Sequence, residues 1–326
     1  MSGVDDLVVR RTSDADLPAI LALLADSLGW HRDDRHERLF RWKHHDNPFG
    51  PSPTWAAFAG ERLVALRVLM RWEFTDPDGR VVRAVRAVDT ATAADFRGRG
   101  LFRTLTLAAV EELTREGVDL VFNTPNDQSR PGYLKMGWRE VGRLPVRARP
   151  AGPVAAARLV RARVPAELWS QPAPGGEEAA EVLAEDRAIE ELLAARPRPS
   201  GLATRLDAEV LRWRYGTPLL GYRAVVAPGG PARGLAIFRC RRRGPVTEAA
   251  VGLLVVPGDD RRTHRRLRRQ ILTASGAQVA VTIGGPGGRG WWPLPGAGPL
   301  LVARRLRTDP PSPGGWSLTL GDIELF

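Results

Sequence analysis

The chain has a single cysteine, Cys240, among 326 residues. One thiol excludes an intrachain disulfide framework and a cysteine-rich zinc site. No apolar run approaches the roughly 18 to 20 residues of a membrane-spanning helix, which argues against a membrane partner. Met1 to Asp6 is acidic and has neither the basic nor the apolar region of a signal peptide, so a cytoplasmic protein is expected. Lysine is nearly missing. Lys43 and Lys135 stand among arginines in a total of 48 basic against 37 acidic residues, a formal charge of +11. With 34 glycines and 27 prolines, this usage fits a GC-rich, bacterial coding bias. The basic residues are scattered apart from 241–243 and 261–269, and no aromatics interleave with those clusters, which argues against nucleic acid. Apolar residues at 43% and charged residues at 26% exclude a chain disordered throughout.

The length suggests about two domains. The pattern predicts a strand at Leu7 to Arg11 and a cap at Thr12 to Asp16. A helix follows, with Leu17, Ile20, Leu21, Leu24 and Leu28 on one face. A second helix carries Leu39, Phe40 and Trp42. Strands are expected at Thr54 to Phe58, Leu63 to Trp72 and Val81 to Thr92, the last two joined by the turn Asp76-Pro77-Asp78-Gly79. Next come a glycine-bearing loop, a helix from Leu101 to about Glu116, a strand at Val118 to Phe122, a helix at Arg130 to Met136 and a strand at Trp138 to Val146. Residues 149–199 are rich in Pro, Ala, Gly and Glu and read as a connector with a helix at Glu177 to Ala195. Residues 1–148 and 200–326 are then the two domains. The second half partly repeats the first: Phe40-Arg41-Trp42-Lys43 matches Leu211-Arg212-Trp213-Arg214, and a strand pair, strand, loop, helix and strand follow each in the same order.

The most informative residues are Arg97-Gly98-Arg99-Gly100-Leu101-Phe102. Two glycines between a strand and a helix let the backbone approach a ligand and present successive N–H groups. The positive end of the following helix points at the same spot, which suits a pyrophosphate. Arg97 and Arg99 can add charge-assisted bonds. Beyond the next strand come Asn126, Tyr133 seven residues later, then Lys135-Met136-Gly137-Trp138. Over about residues 7–147 the chain resembles the GNAT superfamily of acetyl-CoA-dependent N-acetyltransferases. Their loop reads Arg/Gln-x-x-Gly-x-Gly/Ala and their later segment Asn, Tyr and Lys-x-Gly-Phe. Trp138 replaces the Phe, and Ala94 replaces a common Pro before the loop.

The resemblance implies an α/β (α+β) fold of two GNAT-like domains, each a mixed, mostly antiparallel sheet flanked by helices with a splayed central strand pair. It implies that acetyl-CoA lies in the splay between Val85 to Thr92 and Val118 to Phe122. Ala91 and Thr92 would hold the pantetheine, Gly98 to Phe102 the pyrophosphate, and Asn126 the cofactor arm. An amine would attack the thioester directly, without an acyl-enzyme. Tyr133, neutral at pH 7, is the natural acid for the leaving thiolate. Asp89, on the strand entering the splay, is a candidate base, with a hydrogen-bonded structural carboxylate as the plain alternative; Glu73 on the neighbouring strand, Asp127, and His31, His36, His44 and His45 are others, and ordered water can serve instead of a base. Trp30, Trp42, Trp55 and Trp72 either wall an acceptor pocket or pack the core. His44-His45-Asp46 lacks metal-ligand spacing, so no metal is expected. In the second half, Asp259 to His264 replaces the glycine loop, and Gly284-Gly285-Pro286-Gly287-Gly288 follows the strand where the Asn-to-Tyr motif would be. A degenerate copy that binds no acetyl-CoA is expected. The expected partner is a small-molecule amine, drawn in by acidic residues such as Asp26, Asp33, Asp34 and Glu37 if it is cationic, while a neutral or anionic amine fits the basic chain at least as well; a homodimer is left open. The alternatives are a peptide or protein amine, a longer acyl-CoA, or a non-catalytic acetyl-CoA-binding protein.

Overall fold

A computed structural model describes residues 7–161, 164–284 and 290–324. The acidic start at 1–6 and the glycines at 285, 287 and 288 lie outside the described residues. The first half runs β1 (Leu7–Arg11), α1 (Leu17–Leu28), α2 (Asp34–His44), β2 (Thr54–Ala59), β3 (Arg62–Thr75), β4 (Val81–Thr92), α3 (Leu101–Arg115), β5 (Leu120–Asn123), α4 (Arg130–Lys135) and β6 (Arg139–Arg143). Then come β7 (Val146–Pro150), α5 (Pro153–Arg161), β8 (Glu177–Glu178), α6 (Ala179–Leu183), α7 (Asp186–Ala195), β9 (Ala203–Thr204) and α8 (Ala208–Tyr215). The chain continues through β10 (Arg223–Val226), β11 (Leu235–Arg243), β12 (Val246–Val255), α9 (Arg261–Ser275), β13 (Val279–Ile283), β14 (Trp292–Pro293), β15 (Leu300–Arg305) and α10 (Leu320–Ile323).

The chain forms two compact units. The first comprises Met1–Thr75, Gly79–Gly142 and Leu300–Pro313; the second comprises Asp76–Asp78, Arg143–Pro299 and Gly314–Phe326. In the first unit the strands run in the order β1-β2-β3-β4-β5-β15-β6. The pairs from β1 to β4 are antiparallel, β4 and β5 are parallel, and β15 returns antiparallel on β5. In the second unit the order is β14-β7-β13-β12-β11-β10-β8, with β12 and β13 parallel. The fold is thus mixed α/β, two mixed sheets each flanked by helices.

Continuous apolar runs explain the inner strands. Leu63 to Met70 of β3 is buried at every position, so both faces of that strand are covered. Two expectations need correction. Trp138 to Val146 is not one strand: Pro145, which has no N–H to donate, separates β6 from β7, and the two strands join different sheets. Glu177 to Ala195 is not one helix but β8, α6 and α7. The first unit also takes back Leu300–Pro313 from the far end of the chain, where composition alone suggested only the C-terminal half.

Candidate active site

The site begins where two strands part. β4 pairs with β5 only at Ala84, Val85 and Arg86, opposite Leu120, Val121 and Phe122. β5 ends at Asn123 while β4 runs on to Thr92. On its other edge β4 carries a bulge. Leu66 faces Ala91 and Val68 faces Val88, so Asp89 and Thr90 together stand opposite the single residue Arg67. Asp89 has φ of 42°, the one positive value at a non-glycine residue among those described.

The bulge aims its two side chains at different partners. The Asp89 carboxylate meets Lys43 Nζ at 2.5 Å and His44 Nε2 at 2.7 Å, all three side chains buried. His44 Nδ1 lies 2.9 Å from Ser52 Oγ. Burial pushes His44 down to about 4, against the pull of Asp89, so the imidazole is neutral at pH 7. Burial would raise the Asp89 carboxyl, but the Lys43 ammonium and the His44 bond outweigh it and hold it at about 2. Thr90 Oγ1 instead accepts from Arg67 Nη1 at 2.5 Å, and the same nitrogen donates to Tyr133 Oη at 2.8 Å.

Tyr133 is buried on α4. Its ring meets Phe102 edge-on at 5.3 Å and Trp138 at 5.2 Å. Gly132 lies close beside it: a Cβ there would stand 2.9 Å from Phe102 Cε1, so the ring would have to shift. Phe102 in turn sits in the first turn of α3. Gly98 and Gly100 precede that helix, both at φ of 77°, and a Cβ at either would meet nothing within 4 Å. Glycine is therefore demanded by the backbone angle, and the space above the loop is open. No side chain caps α3, and its first turn holds no acid. The exposed Arg97 and Arg99 reach the carbonyls of Thr92 and Asp95. The exposed Asn126 uses its side-chain oxygen to accept from the backbone N–H and hydroxyl of Ser129, shaping the turn into α4. Ala91 is buried and paired to Leu66; Thr92 is half-buried and paired to Ala65.

The structure thus brings Tyr133, Phe102 and Thr90 together, with Ala91 and Thr92 on the parting strand and the glycine loop at the head of α3. Asp89 points away from Tyr133, into the Lys43 and His44 pair. Sequence reasoning missed Arg67. Its signal was a lone arginine inside the apolar run Leu63 to Met70, which a fully covered strand cannot leave on a wet face.

A cleft of about 440 Å³ lies between α1 and α2, lined by Leu17, Leu21, Trp30, Asp33, Asp34 and Glu37 among others. The Trp30 ring also lies 5.5 Å from Lys43 Nζ. Of the four tryptophans considered for a pocket wall, Trp30 lines this cleft, whereas Trp42, Trp55 and Trp72 are buried. Among the described residues no group of three or more His, Cys, Asp or Glu is placed to hold a metal ion, and no helix is long and apolar enough to cross a membrane.

Residues 8–141 match the family model of the acetyltransferase (GNAT) domain, a family whose chemistry is acyl transfer. No curated protein matches the chain in sequence. Solved structures match its fold over nearly its whole length. A probable N-acyltransferase of unknown function from Enterococcus faecalis shares 11% identity at a TM-score of 0.64, covering 93% of this chain and 73% of its own. A GCN5-related N-acetyltransferase from Kribbella flavida shares 18% at 0.61, covering 93% and 71%. One from Anabaena variabilis shares 11% at 0.64, covering 92% and 73%.

Proposed function

We propose that the first unit transfers an acetyl group from acetyl-CoA to a primary amine of a small, cationic molecule. One observation carries this reading: β4 leaves β5 after Arg86, α3 begins uncapped beyond the end of β4, and Tyr133 is buried against Phe102 of the first turn of α3. The unpaired N–H groups of the first turn of α3, and the dipole behind them, favour a pyrophosphate. The open space over Gly98 and Gly100 leaves room for it. The parting edge of β4 at Ala91 and Thr92 offers backbone groups to a pantetheine amide. Acetyl-CoA supplies the activated acyl group as a thioester. Tyr133 holds a proton at Oη for the leaving sulfur. Asp89, ionised and engaged by Lys43 and His44, is a weak proton acceptor; its role in this reading is to fix the bulge, while water takes the proton of the amine.

The cleft between α1 and α2, where Asp14, Asp33, Asp34 and Glu37 outnumber Arg32 and Arg41, supports a cationic acceptor in spite of the net charge of +11. The second unit is read as a degenerate copy. At the head of α9, Asp260 accepts from Arg262 N and Thr263 N, both at 3.0 Å, so the place a phosphate would take is filled by the chain's own carboxylate. Calorimetric titration with acetyl-CoA, followed by thiol release from a panel of cationic, neutral and anionic amines, tests the reading. One site per chain and a preference for cationic amines are expected. Absence of acetyl-CoA binding overturns the function, two sites overturn the degenerate copy, and a preference for anionic amines overturns the acceptor class.

A further inference from the structure

Arg67 is among the largest fully buried side chains of the protein, at 0% exposure. It forms no ion pair among the described residues. Its Nη1 serves Thr90 and Tyr133, while Nε and Nη2 are buried without a hydrogen-bond partner. What surrounds the guanidinium is aromatic: it lies 5.4 Å from the Phe102 ring centre and 5.2 Å from that of Tyr133. A charge taken out of water with no counter-charge is destabilising, and two ring faces offset only part of that loss. Packing alone would favour a leucine or methionine on a strand covered on both faces. The bulge also isolates this residue, since Arg67 is the single position opposite Asp89 and Thr90.

We propose that Arg67 is a positioning residue for the departing thiolate, acting through Tyr133. The inference rests on the acyl-transfer reading above. The Arg67 N–H occupies a lone pair of Tyr133 Oη, which turns the phenolic proton away from Arg67 and toward the opening between β4 and β5. When the amine nitrogen bonds to the thioester carbon and the C–S bond breaks, the electron pair of that bond stays on sulfur. Tyr133 gives its proton to the sulfur and recovers one from water, and the amine loses its proton to water. Negative charge passes from sulfur to the Tyr133 oxygen, 2.8 Å from a permanent positive charge in a site of low polarity. Arg67 has no carboxylate of its own to neutralise it, so its field is directed at that transient charge.

The test compares the full-length wild type with Arg67→Met, which keeps the volume and removes the charge, and Arg67→Lys, which keeps the charge. Removing one such donor should lower kcat about 100-fold in R67M, with KM for acetyl-CoA changed by less than about threefold and roughly tenfold of the rate restored in R67K. A second readout needs neither acceptor nor turnover: the thiolate absorbance of bound CoA against pH, with desulfo-CoA as the blank. Ionisation of the bound thiol should move about one pH unit higher in R67M and stay close to wild type in R67K. An unchanged kcat in R67M overturns the proposal. So does a lost kcat with an unmoved thiol titration, which marks a purely structural role. Wild type that binds CoA without R67M differing from it defeats this inference alone; wild type that binds no CoA defeats the acyl-transfer reading and this inference with it.

Discussion

Asp89 combines three features that are each unfavourable alone: a positive φ, a buried carboxylate and a negative charge. The strain of such a backbone is of the order of 1–3 kcal/mol, and it persists because surrounding bonds over-determine it. Lys43, one of only two lysines, supplies the counter-charge at 2.5 Å. Asp89→Asn would remove the carboxylate charge that lies against this buried ammonium, and a loss of about 3–5 kcal/mol in unfolding free energy is expected by denaturant titration at pH 7. His44 gives the site a pH dependence. Its folded pKa of about 4 lies below its ordinary 6.5, so its contribution is complete above 6.5 and is lost as pH falls toward 4. The Asp89 contribution follows in the lower window, from 3.8 down to about 2. Wild type should lose about 2 kcal/mol between pH 7 and pH 5 that His44→Gln does not lose. Equal slopes for the two proteins would show that His44 is not buried neutral.

At the scale of elements, each unit has one parallel strand pair joined through a helix, and the two helices begin differently. β4, α3 and β5 correspond in order and in parallel pairing to β12, α9 and β13. The head of α3 is opened by Gly98 and Gly100 and has no side-chain cap; the head of α9 is closed by Asp260. Gly100→Asp imports the second condition into the first. The φ of 77° strains any L-residue by about 1–2 kcal/mol, so Gly100→Ala serves as the control for backbone strain. Acetyl-CoA affinity should fall at least about 30-fold further in the Asp variant than in the Ala variant, through charge repulsion and an occupied helix end. Equal losses would assign the effect to backbone strain alone. This contrast was legible in the sequence, because capping and glycine angles are local. So were β1, α1, β4 and the start of α3, each set by a periodicity and a stop signal within a few residues. Arg67 was not legible, because its meaning depends on a bulge in the neighbouring strand and on a tyrosine 66 positions away. The direction of Asp89 was hidden for the same reason.

At the scale of the whole molecule, periodicity says which residues form a strand and nothing about which strand they join. β15 shows the consequence. Its residues Val302 to Arg305 pair with Asn123 back to Leu120, closing the free edge of the parallel strand that borders the active-site opening. Leu301 and Val302 are fully buried, and Leu306, Arg307 and Thr308 donate their backbone N–H groups to the Asp119 carbonyl. Burial of those two side chains alone is worth about 3–6 kcal/mol, against a typical net stability of about 5–15 kcal/mol. A fragment of residues 1–148 holds the glycine loop, Asn126 and Tyr133 and lacks this strand. It should show no cooperative thermal unfolding, and its exposed β5 edge should promote association. Joining residues 7–142 to 300–313 through a flexible Gly/Ser linker should restore a cooperative transition. A cooperative transition in the 1–148 fragment, matching that of the joined one, would mean that the sheet is complete without β15 and that the return of the chain to the first unit contributes little to its stability.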